Sequence, residues 1–596
     1  VIPQSPEASA RRPAILGLLA VGLLVWALCL GCATGSLLQW AFAGVLVVLL
    51  FFPPLGARIE KIIAATRKPT PRRARWIALA VAVCAVASFL ITAYVQSWDF
   101  ILRFQDEHSY ALQLQMLAHG RLWMPPLDPR IADFFSSLNI FVRPVYGSIY
   151  FPGTALMFVT GVWLHLPFWV LPLIAGGACV GLTYLILREL LDGSWALPGA
   201  VMLAALPKFR SVSLMLLSQT PLLLLGLLLI LAWLTWRRKP SLYLATVIGL
   251  LAGWAAVTRP LDAICFAVPV GVAMLFDLRN RRAPGPIWLG TTFCIFAGAA
   301  PFLALQAVQN HGMTGRWTRF PIDQYHAETY PAPLFGFHAV NWAAAPTPTL
   351  PEDADLMRNS AWPMFRAHTL GHLPSELWRV RLPRTLLTDL PAAPLACLLP
   401  VGFLALKDRR RIVLAATPIL FFVLYVPYIF YQEHYLVVVA PGLILLALLG
   451  LRMIARAWPG DWLEPALLLL ALGLSLGAFA QTDEQNWAPW MDLVRIEQRL
   501  QSLPNEPALV FFRYHRDWPD VNISFHEPVY NVETPLPEDA TIVRAHDWGA
   551  RNVELIRYFA AVQPQRQVYL YDRLDDSITP VGTAGELEHN PGWSLK

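Results

Sequence analysis

Long apolar runs alternate with short basic stretches over most of the chain, and the pattern gives way to polar sequence in only three places. Apolar runs occupy 14–33, 37–54, 76–95, 168–187, 195–209, 217–236, 242–258, 262–277, 286–307, 391–406, 412–430, 435–452 and 463–481. Each predicts a membrane helix, because about 20 apolar residues rising 1.5 Å apiece cross a hydrocarbon core of ~30 Å. The segment 153–166, bounded by Pro152 and Pro167, is shorter and reads as a juxtamembrane or re-entrant piece. The expected architecture is a polytopic α-helical membrane protein of about thirteen transmembrane helices. The pattern changes again in 482–596, where Ala508–Phe512, Thr541–Val543 and Val568–Tyr571 read as buried strands and 549–560 as a helix. That stretch predicts a small extramembrane α/β domain.

Composition supports this reading. Of 596 residues, 56% are hydrophobic and 14% charged, against roughly 25% charged in soluble domains. A soluble enzyme, a disordered chain and a single-pass receptor are excluded. The net charge of +6 is no nucleic-acid signal, because the basic residues sit in short loops between apolar runs. Residues 57–75 hold seven of them, Arg58, Lys61, Arg67, Lys68, Arg72, Arg73 and Arg75, against Glu60 alone. Such clusters favour the cytoplasm, so the N-terminus is expected inside and the C-terminus outside. The organisation is then 1–75, a transmembrane hairpin with a basic cytoplasmic loop; 76–481, a transmembrane module with outer loops 96–167 and 308–390; and 482–596, an outer domain.

The first run could imitate a cleaved leader, and Leu30-Gly31-Cys32 faintly resembles a lipoprotein site. Cys29 stands where such a site usually has leucine, and a second apolar run follows at once. A retained span is the expectation. All seven cysteines lie in or beside apolar runs, with no CxxC pair and no disulfide framework.

Unusual polar residues collect on the outer side. Arg103-Phe104-Gln105-Asp106-Glu107-His108-Ser109-Tyr110 opens a helical pattern that Gly120 stops. Asp106 and Glu107 stand where the helix dipole favours negative charge, so an N-cap role for Asp106 competes with a chemical one. Lys208 with Arg210, Arg259 before Pro260, and His434 before Tyr435 stand at outer ends of spans. Snorkelling accounts for any one of them. Together they place cations where an anion such as a phosphate headgroup would stabilise them, and Arg259 is the leading phosphate ligand. The second outer loop carries Asn310, Thr314-Gly315, Pro321 and Tyr325, suited to covering a substrate or to a plain connector. No HExxH, Gly-rich Lys-Ser/Thr loop or Gly-x-Ser-x-Gly occurs.

The order of these motifs resembles the GT-C superfamily of integral-membrane glycosyltransferases, particularly the protein-mannosyltransferase-like and aminoarabinose-transferase-like members. The resemblance rests on Phe104-x-Asp106-Glu107-x-x-Tyr110, Gly120, Tyr150-Phe151-Pro152-Gly153, Gly253…Thr258-Arg259-Pro260, Asn310…Thr314-Gly315…Pro321…Tyr325 and His434-Tyr435, over roughly 76–480. It implies inverting transfer of a sugar from a polyprenyl-phosphate donor to an acceptor hydroxyl on a lipid, glycan or protein, in a bacterial inner membrane. Asp106 would be the catalytic base and Glu107 its companion in positioning or acceptor binding. Arg259, Lys208, Arg210 and His434 would meet the donor phosphate, and Arg103, Tyr110, Tyr150, Tyr325 and Tyr435 would line the pocket. No metal and no other cofactor are expected, since fixed cations suffice for a monophosphate. Many relatives have Lys-Pro-Pro or Tyr-Pro-Pro where this chain has Tyr150-Phe151-Pro152-Gly153, so a lysine contact to the donor is missing there. The competing classes are a secondary transporter or lipid flippase, and a receptor whose outer domain binds a partner. Transporters usually carry ionisable groups at mid-membrane on symmetry-related helices; the spans here are almost free of charge and show no repeat.

Overall fold

The computed structural model describes residues 11–30, 36–281, 284–483, 491–504, 506–515 and 527–589; Gly31 and Cys32 of the lipoprotein-like site lie outside them. Among the described residues, seven helices are long and apolar enough to cross a membrane: Arg12–Leu30, Pro71–Val95, Val170–Leu190, Gln219–Arg238, Pro260–Asn280, Gly285–Thr314 and Ala440–Ala457. Two more pairs, Leu37–Leu49 with Pro53–Arg67 and Leu373–Asp389 with Ala393–Phe403, are bent by 99° and 104°, which makes nine if each pair is one span. The expected thirteen is therefore not reached on length and apolarity.

Shortness and proline explain the difference. Gly193–Ala205, Leu242–Ala256 and Leu463–Ala478 are apolar but shorter, and the run 412–430 is helical only as far as Tyr425, in the 17-residue helix Arg409–Tyr425 with Pro418 inside it. Pro53 opens a new helix within the run 37–54. The segment 153–166 forms helix Gly153–Trp163, whose 11 residues cover only about 16 Å, half of a hydrocarbon core.

Two compact units emerge. The helical unit comprises the described residues of Val1–Trp98, Trp169–Leu303 and Leu370–Asp483. Its outer helices turn large side chains outward, with Leu24 58% and Phe293 72% exposed, as lipid-facing helices do. Inside it, small residues bring backbones together. A Cβ on Gly249 would sit 2.0 Å from the Ile295 carbonyl oxygen, and one on Gly298 2.3 Å from that of Thr246. Only glycine permits this approach of Leu242–Ala256 to Gly285–Thr314.

The sheet unit comprises the described residues of Asp99–Phe168, Ala304–Thr369 and Glu484–Lys596. Its sheet has four strands in the order Ile542–His546, Ala508–Arg513, Gln567–Asp572, Ser577–Thr583. The first three are parallel and the last is antiparallel to its neighbour. The three strands expected from sequence are present, together with the helix, at Asn552–Val562. The edge strand Ser577–Thr583 was not expected, because Pro580 and mixed polarity hide it.

The sheet core is shared with the first polar region, 96–167. Leu112, Met116, Ile131, Phe134 and Phe135 pack with Leu509, Phe511, Val543 and Phe559 in one buried cluster. Helix Gln105–Ala118 thus rests on the sheet rather than standing apart from it.

Candidate functional site

Helix Gln105–Ala118 carries the acidic pair, and its two ends show how it is placed. Glu107 Oε2 accepts from the backbone N–H groups of Arg103 at 2.9 Å and Phe104 at 3.2 Å. The carboxylate that satisfies the start of the helix is therefore Glu107, not Asp106, and it is 1% exposed. At the other end Gly120 adopts φ +72°. Gly120 N–H bonds to the Leu117 carbonyl and Arg121 N–H to that of Met116, the paired closure that a left-handed residue permits.

With the helix start satisfied by its neighbour, Asp106 takes up side-chain partners. Its Oδ1 accepts from the Tyr150 hydroxyl at 2.5 Å and from Asn139 Nδ2 at 3.0 Å. Tyr150 stacks on Tyr110 with ring centroids 4.7 Å apart. The Tyr150 carbonyl accepts from Gln113 and Gln309 at 2.8 and 3.1 Å. Asn139 has φ +63°, a conformation asparagine tolerates better than most residues. Its N–H donates to the Tyr325 hydroxyl at 3.1 Å, and its carbonyl accepts from Ser109 at 2.7 Å. Asp106, Glu107, Arg103, Tyr110, Tyr150 and Tyr325 thus belong to one neighbourhood of the sheet unit.

The sheet supports this neighbourhood from behind. Ser137 Oγ donates to the Val529 carbonyl at 2.5 Å, and the Tyr530 hydroxyl donates to the Leu138 carbonyl at 3.2 Å. His108 stacks on Tyr530 at 4.2 Å and bonds through Nδ1 to the Phe104 carbonyl at 3.0 Å.

Burial lowers the pKa of His108 to about 4, and does the same to His326. Both are held neutral when folded, whereas an unfolded histidine titrates near 6.5. The unfolded chain therefore binds more protons between those values, and folding stability falls as pH drops from about 6.5 towards 4. The expected result is an acid-lowered melting temperature, and His108→Gln should flatten that slope if it folds.

The basic candidates gather in the helical unit, and two of them, Arg259 and Lys208, meet acids the sequence reading had not paired to them. Arg259 bonds through Nε to Asp262, through Nη1 to Ser218 at 3.2 Å and through Nη2 to the Tyr425 hydroxyl at 3.1 Å. Tyr425 in turn donates to Asp262 at 2.7 Å. The guanidinium lies over the Tyr435 ring, 4.5 Å from its centroid. Lys208 Nζ is 2.8 Å from Asp483 and 3.4 Å from Glu433. Arg210 donates to the Gln481 carbonyl at 2.5 Å. His434 feels the charges of both Arg259 and Lys208. Arg384, absent from the sequence candidates, sits 3.8 Å from Glu433 and donates to the Tyr431 carbonyl at 2.6 Å.

Asp262 could have been found from sequence, as an acid three residues after Arg259 inside an apolar run. Asn139 could not; nothing around Ser136-Ser137-Leu138 marks it.

Fold and sites together define a multi-pass membrane protein with a sheet unit that holds an oriented carboxylate. No protein-family model matches the chain, and no curated protein does. Among solved structures it is similar to ArnT from Cupriavidus metallidurans bound to undecaprenyl phosphate, with 15% identity and TM-score 0.45 over 82% of this chain and 92% of that one. The apo form of the same protein gives 16% and 0.47 over the same shares. An Archaeoglobus fulgidus oligosaccharyltransferase in complex with zinc and sulfate gives 14% and 0.44, over 76% of this chain and 62% of that one.

Proposed function

We propose that this chain moves a sugar from a polyprenyl-phosphate donor to an acceptor hydroxyl, with inversion at the sugar carbon, on the outer side of a bacterial inner membrane. The observation that carries the reading is the treatment of the acidic pair. Glu107 takes over the helix start, and Asp106 is held by Tyr150 and Asn139 with its carboxylate plane fixed. A general base needs that fixed direction. The second carboxylate is then a positioning residue for the first.

In the reaction the acceptor oxygen attacks the sugar C1 and passes its proton to Asp106. The bond from C1 to the phosphate oxygen breaks, and polyprenyl phosphate leaves with that electron pair. Arg259, Lys208, Arg210 and His434 are assigned to the phosphate. Arg259 arrives at this role with its orientation set by Asp262 and Tyr425, and a cation that need not reorganise stabilises growing negative charge most effectively. Tyr110, Tyr150, Tyr325, Tyr435 and Arg103 are assigned to the walls of the sugar and acceptor site. The C-terminal segment, on the same outer side, acts as the support of the base-bearing helix.

The test is chemical. Purified chain in liposomes, given a polyprenyl-phosphate sugar and membrane extract as acceptor source, should release polyprenyl phosphate together with a glycosylated product. Uptake of the donor into sealed vesicles without either product belongs to a flippase and would overturn the proposal.

A further inference from the structure

The sheet unit buries a second constellation that the transfer reaction does not use. Glu352, on the short helix Pro351–Leu356, Glu527, and His546, at the end of strand Ile542–His546, bring one ligand atom each within 4.8 Å of one another. They are 4%, 5% and 2% exposed. Taking two carboxylates out of water costs several kcal/mol each unless a cation compensates.

The imidazole is set up in a specific way. His546 Nε2 bonds to the Ser136 carbonyl at 2.7 Å, so this nitrogen carries a proton. Nδ1 points at Glu352 Oε1, 2.8 Å away. A ring nitrogen tied to a backbone carbonyl, with the other turned towards carboxylate oxygens, is the arrangement in which histidine ligates a metal. Glu527 is itself held in place, its Oε1 accepting from the Val529 N–H at 2.7 Å. Arg573, which also acts on both glutamates, is paired with Asp492 at 3.6 Å.

We propose that Glu352, Glu527 and His546 bind a divalent cation of the zinc class. One nitrogen and two carboxylate donors suit zinc or a neighbouring transition metal; calcium and magnesium prefer all-oxygen sets. Water would complete the tetrahedron. The site lies at the carboxyl end of a parallel strand, the end of an open α/β sheet where ligands bind. No local motif announces it, because its three ligands lie far apart in sequence, and the expectation of no metal rested on fixed cations sufficing for the donor phosphate, which does not bear on this site.

The consequence is structural. The cation ties the second outer loop to two C-terminal segments, and through His546 it braces Ser136. That residue precedes by three positions Asn139, which bonds Asp106. The site is a staple behind the base-bearing segment.

The experiment uses the full chain in detergent. Elemental analysis of protein purified without chelator should find stoichiometric zinc. After chelation, Co2+ should give a visible absorption band, and the melting temperature should rise with the logarithm of free Zn2+. Glu527→Gln, nearly isosteric, should weaken Zn2+ by about 100-fold, and Glu352→Gln should do the same. Folded wild-type protein that retains no zinc, shows no cobalt band and melts unchanged with Zn2+ would overturn the proposal and leave the glutamates to a proton on His546 and the charge of Arg573. Zinc held equally by both glutamine variants would also overturn it, as binding elsewhere. None of these readouts depends on sugar transfer, so the site stands or falls separately from the proposed reaction.

Discussion

Asp106→Asn should reduce product formation by about 10³-fold, with the donor KM little changed and the melting temperature within a degree or two of the wild type. Asparagine keeps the shape of the side chain and an oxygen to accept from Tyr150 and Asn139, so the hydrogen bonds that hold the segment survive. What disappears is a group able to take the acceptor's proton. The assay is single-turnover release of polyprenyl phosphate in proteoliposomes. A rate near that of wild type would remove Asp106 as the base. Glu107→Gln should behave differently. It leaves an oxygen for the Arg103 and Phe104 N–H groups but removes the charge facing them, so stability and turnover should fall together. That contrast separates the residue that does chemistry from the one that positions it.

The membrane class and three of the four sheet strands were legible because each rests on a period or a run. Apolar length marks a span, and short β-branched and aromatic segments such as Ala508–Phe512 mark strands. Span number was less legible, because a run says nothing of a bend: residues 37–54 read as one span and 57–75 as a basic loop, whereas the chain forms helices Leu37–Leu49 and Pro53–Arg67, bent by 99°. Site residues followed the same division. Asp106 and Glu107 were visible as an acidic pair at a helix start, but their roles were not. The helix begins at Gln105, so Glu107 is at the third position, from which it can reach back. A one-residue change in that start would exchange the two. Asn139 and Tyr530 were invisible because their function comes from contacts across the sheet unit, which no spacing encodes. The C-terminal stretch looked like an appendage for the same reason. Its Val529 and Tyr530 hold residues 137 and 138 beside Asn139, so it supports the site directly.

The pairing of Arg259 with Asp262 sets up the second large effect. Asp262 is fully buried, and removing one partner of a buried ion pair typically costs about 3–5 kcal/mol because the other charge is left uncompensated. Asp262→Asn should therefore lower the melting temperature markedly, and Arg259→Gln should do so as well. The double variant, in which neither charge remains, should recover most of that stability. Transfer should not recover with it. If Arg259 meets the donor phosphate, the double variant folds but has lost a cation that opposes negative charge in the transition state, and turnover stays down by about 10²-fold. The readouts are a thermal melt in detergent and the same polyprenyl-phosphate release assay. A double variant that regained both stability and transfer would show Arg259 to be a partner for Asp262 and nothing more, and the phosphate would then have to be met by Lys208, Arg210 and His434. The pair is informative because a structural arginine and a phosphate-binding one predict the same single-variant melts and opposite double-variant rates.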